Sequence, residues 1–129
     1  MKYFFLFVFF LLPMNFSFAG EVHYCSEGYV VGFDPKNSYE VGKYTTRRFK
    51  AYIDFDDKKI VSEEIYFKKT SINKCIYDGY NTTLYCLNDY GSAIAINKKT
   101  LKFHLSNIFN NGSNQRDEIY ISHGTCEKF

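Results

Sequence analysis

Regular alternation of apolar and polar residues is the feature that most limits what this chain can fold into. The stretch "RRFKAYIDF", residues 47–55, places Phe49, Ala51, Ile53 and Phe55 on one face and Arg48, Lys50, Tyr52 and Asp54 on the other. Successive side chains of a β-strand point to opposite faces, so this pattern predicts a strand with one buried side. The stretch "TLKFHL", residues 100–105, repeats the pattern and directs His104 outward.

Turn-forming residues divide the rest of the chain into short segments. Clusters rich in Asp, Asn, Gly and Ser lie at residues 35–38, 56–59, 78–81, 89–91, 97–100 and 110–112. Tyr and Phe make up one fifth of the chain and Trp is absent, a composition that suits half-buried strands. These signals predict an all-β fold, a small antiparallel barrel or two-layer sandwich of about eight strands.

Two segments need separate interpretations. The residues of "KIVSEEIYFKK", 59–69, are mostly strand-formers, so we predict a strand there rather than a helical turn. Residues 106–118, "SNIFNNGSNQRDE", are the longest irregular stretch and are predicted to form a loop.

The amino terminus has the three parts of a secretory signal peptide. Lys2 precedes an apolar run over residues 3–12, and small residues precede a cleavage position after Ala19. A membrane anchor is the alternative, but a spanning helix needs roughly 20 predominantly apolar residues, and this run stops at Pro13. We therefore predict a signal peptide over 1–19 and one exported β domain over 20–129, periplasmic or extracellular, with no remaining membrane span.

The charge balance gives no indication of a nucleic-acid partner. Residues 20–129 carry fifteen basic and fourteen acidic side chains, whereas nucleic-acid binding domains concentrate positive charge. The densest basic pairs, Arg47-Arg48 and Lys68-Lys69, flank alternating runs. We interpret them as solvated strand faces rather than phosphate sites.

Four cysteines predict two disulfides that staple the domain. Cys25, Cys75, Cys86 and Cys126 form an even set in a small exported chain, where an oxidising compartment favours cross-links. If residues 78–83 of "CIYDGYNTTLYC" form the bend, Cys75 directly opposes Cys86. Opposed Cα atoms then lie about 4.5 Å apart, which a disulfide can span. Cys25–Cys126 follows by elimination.

A zinc site formed by "HYC", residues 23–25, and "HGTC", residues 123–126, is the alternative use of these cysteines. His123 and Cys126 are three residues apart and point to opposite faces of a regular strand, so we favour disulfides and predict no metal or cofactor. His123 would then share a face with Ile119 and Ile121 at the rim of the core.

No residue pattern predicts catalysis. A nucleophile needs a base within hydrogen-bond reach and a group that orients the base, and no local motif supplies this set. The clustered carboxylates are Asp54, Asp56, Asp57, Glu63 and Glu64, which are assigned to a hairpin tip and a solvated strand face. We therefore predict a protein that is not an enzyme.

A tyrosine-rich surface is the remaining candidate site. Its predicted members lie on and beside the stapled hairpin: Tyr77, Tyr80, Asn81, Tyr85 and Tyr90. Tyr and Asn are typical of adaptable recognition surfaces, although tyrosines also simply fill strand surfaces. We predict a non-enzymatic binding or interaction module whose partner is a protein or a small molecule. The alternatives are a small secreted hydrolase with dispersed Asp and Glu residues and a purely structural envelope protein.

The tail "GTCEKF", residues 124–129, together with Cys25 and the mid-chain cysteine pair, also resembles a known group. It is similar to uncharacterised small exported bacterial β proteins that end in Gly-Thr-Cys followed by a few charged residues. The resemblance implies an exported β domain and brings no activity with it.

Overall fold

The computed structural model describes residues 20–34, 38–69, 73–109 and 118–129, so the predicted signal peptide lies outside the described residues. Within them the chain forms nine β-strands, and none of these residues belongs to a helix that could cross a membrane. The strands are β1 (Glu21–Asp34), β2 (Glu40–Lys43), β3 (Arg48–Asp54), β4 (Lys59–Val61), β5 (Asn73–Tyr77), β6 (Thr83–Asn88), β7 (Ser92–Asn97), β8 (Lys102–Phe109) and β9 (Glu118–Lys128).

All nine strands belong to one antiparallel sheet in the order β4-β3-β1-β9-β8-β7-β6-β5, with β2 paired to β1. The two edge strands face each other across a seam. There the Asn73 side chain donates a hydrogen bond to the Ile60 carbonyl at 3.4 Å, and the Tyr77 hydroxyl donates to the Phe55 carbonyl at 2.5 Å. The sheet is thus a nearly closed eight-stranded barrel, which decides between the predicted barrel and sandwich.

The barrel interior holds the apolar face of each alternating segment. Phe49 of β3 and Phe103 of β8 are both buried and meet with ring centroids 5.4 Å apart. A Cβ on Gly124 of β9 would lie 2.7 Å from the Phe103 ring and 2.0 Å from the Ser26 carbonyl oxygen. Only glycine therefore lets β9 approach this part of the core.

Both predicted disulfides are confirmed. Cys75 opposes Cys86 in the β5–β6 register with Cα atoms 4.1 Å apart. Cys25 opposes Cys126 in the β1–β9 register with Cα atoms 3.9 Å apart. Because no described cysteine is free, the zinc site that needed Cys25 and Cys126 is excluded.

A β-bulge in β1 changes which residues face the core. The β1–β9 register shifts between Glu27 and Tyr29, so an extra residue, Gly28, stands unpaired. Before the bulge Cys25 and Glu27 point inward, and after it Val30 does. Tyr29 therefore faces outward, although the odd-numbered residues before the bulge, Cys25 and Glu27, face inward.

Two predicted segments differ from the structure. Of residues 59–69 only Lys59–Val61 form a strand, because a tight turn follows and is closed by hydrogen bonding between Ser62 N–H and the Phe67 carbonyl at 2.8 Å. Ile65 and Phe67 are buried by this turn. The predicted loop over 106–118 is wrong at both ends, because residues 106–109 belong to β8 and Glu118 begins β9, and these two strands pair. The rest of that prediction, residues 110–117, lies outside the described residues.

Two side chains also face differently from the prediction. Asp54 was assigned to the wet face of β3, but it is buried and its Oδ1 accepts hydrogen bonds from the N–H groups of Asp56 and Asp57. It therefore shapes the β3–β4 turn. His123 and Ile121 lie on the outer face of β9, not at the rim of the core, because the inward residues of this strand are Tyr120, Ser122, Gly124 and Cys126.

Candidate functional site

The structure distributes the five predicted surface residues over four places. Tyr80 and Asn81 lie exposed at the tip of the β5–β6 hairpin, and Tyr90 lies beyond the opposite end of β6. Tyr85 faces outward from the middle of β6. Tyr77 is partly buried, and the ammonium groups of Lys58 and Lys98 lie 6.0 and 5.5 Å from its ring centroid.

The hairpin tip has a structural explanation. Asp78 accepts hydrogen bonds from the N–H groups of Thr82 and Thr83 at 2.7 and 3.2 Å, and from the Thr82 hydroxyl at 2.8 Å. These backbone and hydroxyl hydrogen bonds lower the pKa of Asp78. Asn81 has a φ of 56°, a left-handed conformation that Asn tolerates better than most residues. Asp78 and Asn81 therefore form the turn itself.

A groove on the outer face of the barrel is the most distinctive surface feature. It crosses β5 to β9 and has a volume of about 550 Å³. We call it the β5–β9 groove. Its outward-facing walls and floor are formed by Lys74, Ile76, Tyr85, Leu87, Ala93, Ala95, His104, Ser106 and Ile121.

The groove exists because small and large outward residues alternate between neighbouring strands. In the register of the sheet, Leu87 of β6 opposes Ala93 of β7, and Tyr85 opposes Ala95. The two alanines leave a depression between taller side chains. Ile76, Leu87 and Ile121 are 67%, 55% and 59% exposed, so the groove leaves large apolar side chains in contact with water.

The apolar surface continues past the groove towards β1. Ile108 of β8 is exposed, and its partner Ile119 in turn opposes Phe33 of β1. Phe33 pairs with the exposed Val41 of β2. Contiguous exposed apolar residues are uncommon on soluble monomers and usually indicate an interaction site.

A second feature is a buried ion pair next to the bulge. Glu27 is fully buried at its side chain, whereas the Arg47 side chain is 38% exposed. Arg47 donates from its backbone N, Nε and Nη2 to the Glu27 carboxylate at 2.8, 3.2 and 2.9 Å. Ser122 Oγ donates to the same carboxylate at 2.8 Å, and Arg47 Nη2 donates to the Tyr120 hydroxyl at 2.9 Å. Arg47 is therefore not the solvated strand residue that the sequence predicted.

Burial and hydrogen bonding shift the pKa values of the three ionisable groups in this cluster. Burial alone would raise the pKa of Glu27, but hydrogen bonds from Arg47 and Ser122 hold it below its ordinary value. Burial would lower the pKa of Arg47, but its hydrogen bonds and charge interactions with Glu27 and Tyr120 together raise it above its ordinary value. Burial raises the pKa of Tyr120. The carboxylate is thus already paired and the phenol stays protonated, so the cluster offers neither a free base nor a nucleophile.

The Glu27–Arg47 pair escaped the sequence analysis, although one signal was present. Glu27 lies two residues after Cys25, so it shares the inward face of the strand that the disulfide requires. A carboxylate on that face needs a buried partner. The partner itself was not predictable, because Arg47 approaches from the connection between β2 and β3 and no local spacing links it to Glu27.

Among the described residues, side chains that can ligate a metal do not converge in groups of three. Within residues 20–34, 38–69, 73–109 and 118–129, no three His, Cys, Asp or Glu side chains are placed to hold a metal ion together. His23 is buried and its Nδ1 lies 3.0 Å from the Glu21 carbonyl oxygen. His104 and His123 directly oppose each other on the outer face, with ring centroids 6.4 Å apart.

Comparison with known proteins identifies no relative. No family model, no curated protein and no solved structure matches this chain. The resemblance of the "GTCEKF" tail to small exported bacterial β proteins therefore remains a prediction.

Proposed function

We propose that the protein is an exported, non-enzymatic binding module that holds a segment of a partner polypeptide in the β5–β9 groove. The observation that carries the proposal is the exposure of Ile76, Leu87 and Ile121 around one depression. Leaving such side chains in water costs free energy that contact with a partner would recover. Tyr85, one of the predicted binding residues, lines the same groove.

Charge favours an acidic partner segment. None of the strands β5, β6, β7 and β8 contains an Asp or Glu, whereas the positively charged Lys74 lines the groove. A partner that presents apolar side chains next to carboxylates would complement this surface. A second copy of the chain would instead oppose Lys74 with another cationic groove, so we favour a different polypeptide.

The non-enzymatic part of the proposal is supported by how the buried carboxylates are used. Glu27 is held by Arg47 and Ser122, and Asp54 caps the β3–β4 turn. General acid and base catalysis needs a carboxyl group that is free to exchange a proton with a substrate. Glu27 and Asp54 are both occupied by hydrogen bonds within the protein, so neither supports the alternative of a secreted hydrolase.

Export is supported by two features. Two disulfides are compatible with an oxidising location. The charged start, the apolar run and the small residues before position 20 match a secretory signal. We propose on this basis that the protein acts in the periplasm or outside the cell.

A pair of synthetic peptides tests the proposal. One alternates leucine with glutamate, and the other replaces each glutamate with lysine. We expect the acidic peptide alone to bind, as measured by the fluorescence anisotropy of a labelled peptide. Leu87→Thr should weaken that binding about fivefold, because roughly 1 kcal/mol of apolar contact is lost.

Val22→Thr is the matched control, because Val22 is exposed to a similar degree but lies on β1 away from the groove. It should leave peptide binding unchanged. Equal binding of both peptides, or binding that ignores Leu87→Thr, would contradict the proposal. Self-association that Leu87→Thr abolishes would assign the groove to a second copy instead. Turnover of generic ester or glycoside substrates would contradict the non-enzymatic role.

A further inference from the structure

We propose that His104 and His123 form an open binding site for one late first-row transition-metal ion, such as Cu²⁺, Ni²⁺ or Zn²⁺. This inference does not depend on the proposed polypeptide partner. It rests on the placement of two imidazoles side by side on the outer surface of β8 and β9.

The sheet register brings the two rings within reach of a common ion. His104 and His123 are directly opposed across antiparallel strands, and their ring planes are tilted by 56° with centroids 6.4 Å apart. With each nitrogen ~2 Å from the ion, a tetrahedral site places the two centroids about 5 Å apart. The 6.4 Å separation exceeds this distance, so ion binding requires the His104 ring, which opposes the small side chain of Ala95, to rotate towards His123.

The neighbouring strand limits how far the His123 ring can turn. Tyr29 opposes His123 in the β1–β9 register, and the two rings are stacked at 6.3 Å with planes 22° apart. The β-bulge supplies this arrangement, because it turns Tyr29 outward. A ring held in this way loses less freedom when it binds an ion.

The ligand set determines which ions fit. Neutral imidazole suits Cu, Ni and Zn, and the general order of affinity predicts that Cu²⁺ binds most tightly. Two nitrogen ligands leave coordination positions open for water or for a group from another molecule. Lys102 lies two residues before His104 on the same face, and the Lys43 ammonium lies 5.6 Å from the Tyr29 ring centroid. These positive charges oppose a cation, so we expect modest affinity.

Titration of the untagged protein with Cu²⁺ tests the inference. Paramagnetic resonance should report one ion with two imidazole nitrogen ligands, and a chelator should reverse binding. His104→Asn and His123→Asn should each weaken binding at least about tenfold, since each removes one of the two ligands that act together.

Thr125→Asn is the matched control, because Thr125 is exposed on the same face of β9 as His123 and two residues away. This control and both His variants all retain the amino terminus and His23. Any copper binding by those two groups therefore appears equally in all three proteins. The inference is supported if only the two His variants lose the nitrogen signature. It is overturned if Cu²⁺ binds the His variants as well as the original protein, or if no binding occurs.

Discussion

The barrel is held together differently on its two sides. On one side β1 pairs with β9, and Cys25 and Cys126 link residues 101 positions apart. On the other side β5, β6, β7 and β8 follow one another as neighbours, and Cys75–Cys86 spans 11 positions. The first side closes the barrel through long-range contacts, whereas the second side is built from local hairpins.

The difference indicates how the two sides divide stability and recognition. Closing a long loop costs more chain entropy than closing a short one, so the covalent Cys25–Cys126 link should stabilise the barrel more than the hairpin link does. The local strands can form their turns independently of the Cys25–Cys126 link. Their outer face carries exposed apolar side chains that stabilise little within the chain, and this leaves the groove available for contact with another molecule.

Removing one disulfide at a time should give the largest difference in stability between the two sides of the barrel. In the chain-entropy account, the long link stabilises the fold by about 4.7 kcal/mol and the hairpin link by about 2.8 kcal/mol. Replacing Cys25 and Cys126 with alanine should therefore lower the free energy of unfolding by about 2 kcal/mol more than replacing Cys75 and Cys86. Urea denaturation of the two double variants measures the difference. Equal losses would mean that loop length does not set the contribution of these bonds.

Glu27→Gln should have the next largest effect. Glutamine preserves the size of the side chain but removes the charge that pairs with Arg47 and one of the acceptor oxygens. Breaking a fully buried pair costs 3–5 kcal/mol, and we expect about 2 kcal/mol because the Arg47 side chain is partly exposed. Thermal and urea unfolding measure the loss.

Glu127→Gln provides the control for that variant, since Glu127 is exposed on β9. It should change the free energy of unfolding by less than about 0.5 kcal/mol. If the two substitutions cost the same, the Glu27–Arg47 pair contributes no more than a surface charge.

Leu87→Thr should have the smallest effect on stability. Leu87 faces water on β6, and a surface substitution of this kind changes the free energy of unfolding by no more than about 0.5 kcal/mol. Leu84→Thr on the same strand is the matched comparison, because Leu84 is fully buried. A large loss at Leu87 would show that the groove stabilises the chain itself and would weaken its assignment as a contact surface.

Much of the fold was predictable because local patterns specify it. The alternation around Phe49 and the bend of "CIYDGYNTTLYC" depend only on strand pleating and turn chemistry. They predicted the β3 core face and the Cys75–Cys86 pair correctly. The prediction that His123 faces the core was wrong, because Ile119 and Ile121 in isolation look like residues of a core-facing row. Cys126 faces inward to bond with Cys25, and this sets which alternate residues of β9 face the core.

The groove was less predictable for a similar reason. "SAIAIN" in β7 shows alternating small and large apolar residues, but sequence alone does not tell which set faces the interior. The isoleucines do, and the outward alanines become a groove floor only because Leu87 stands on the adjacent strand β6 and Ile121 stands on β9, on the far side of β8. The shape of the groove therefore depends on the order of the strands in the sheet, which no short stretch of sequence reveals.

The bulge at Gly28 gives β1 two different phases within one strand. In its first phase odd-numbered residues enter the core, which buries Cys25 for its disulfide and Glu27 for its ion pair. In the second phase odd-numbered residues leave it, which carries Tyr29 and Phe33 onto the outer apolar surface. One inserted residue therefore acts like a reading-frame shift for side chains, and it makes a single strand serve both the closure of the barrel and the composition of its exterior.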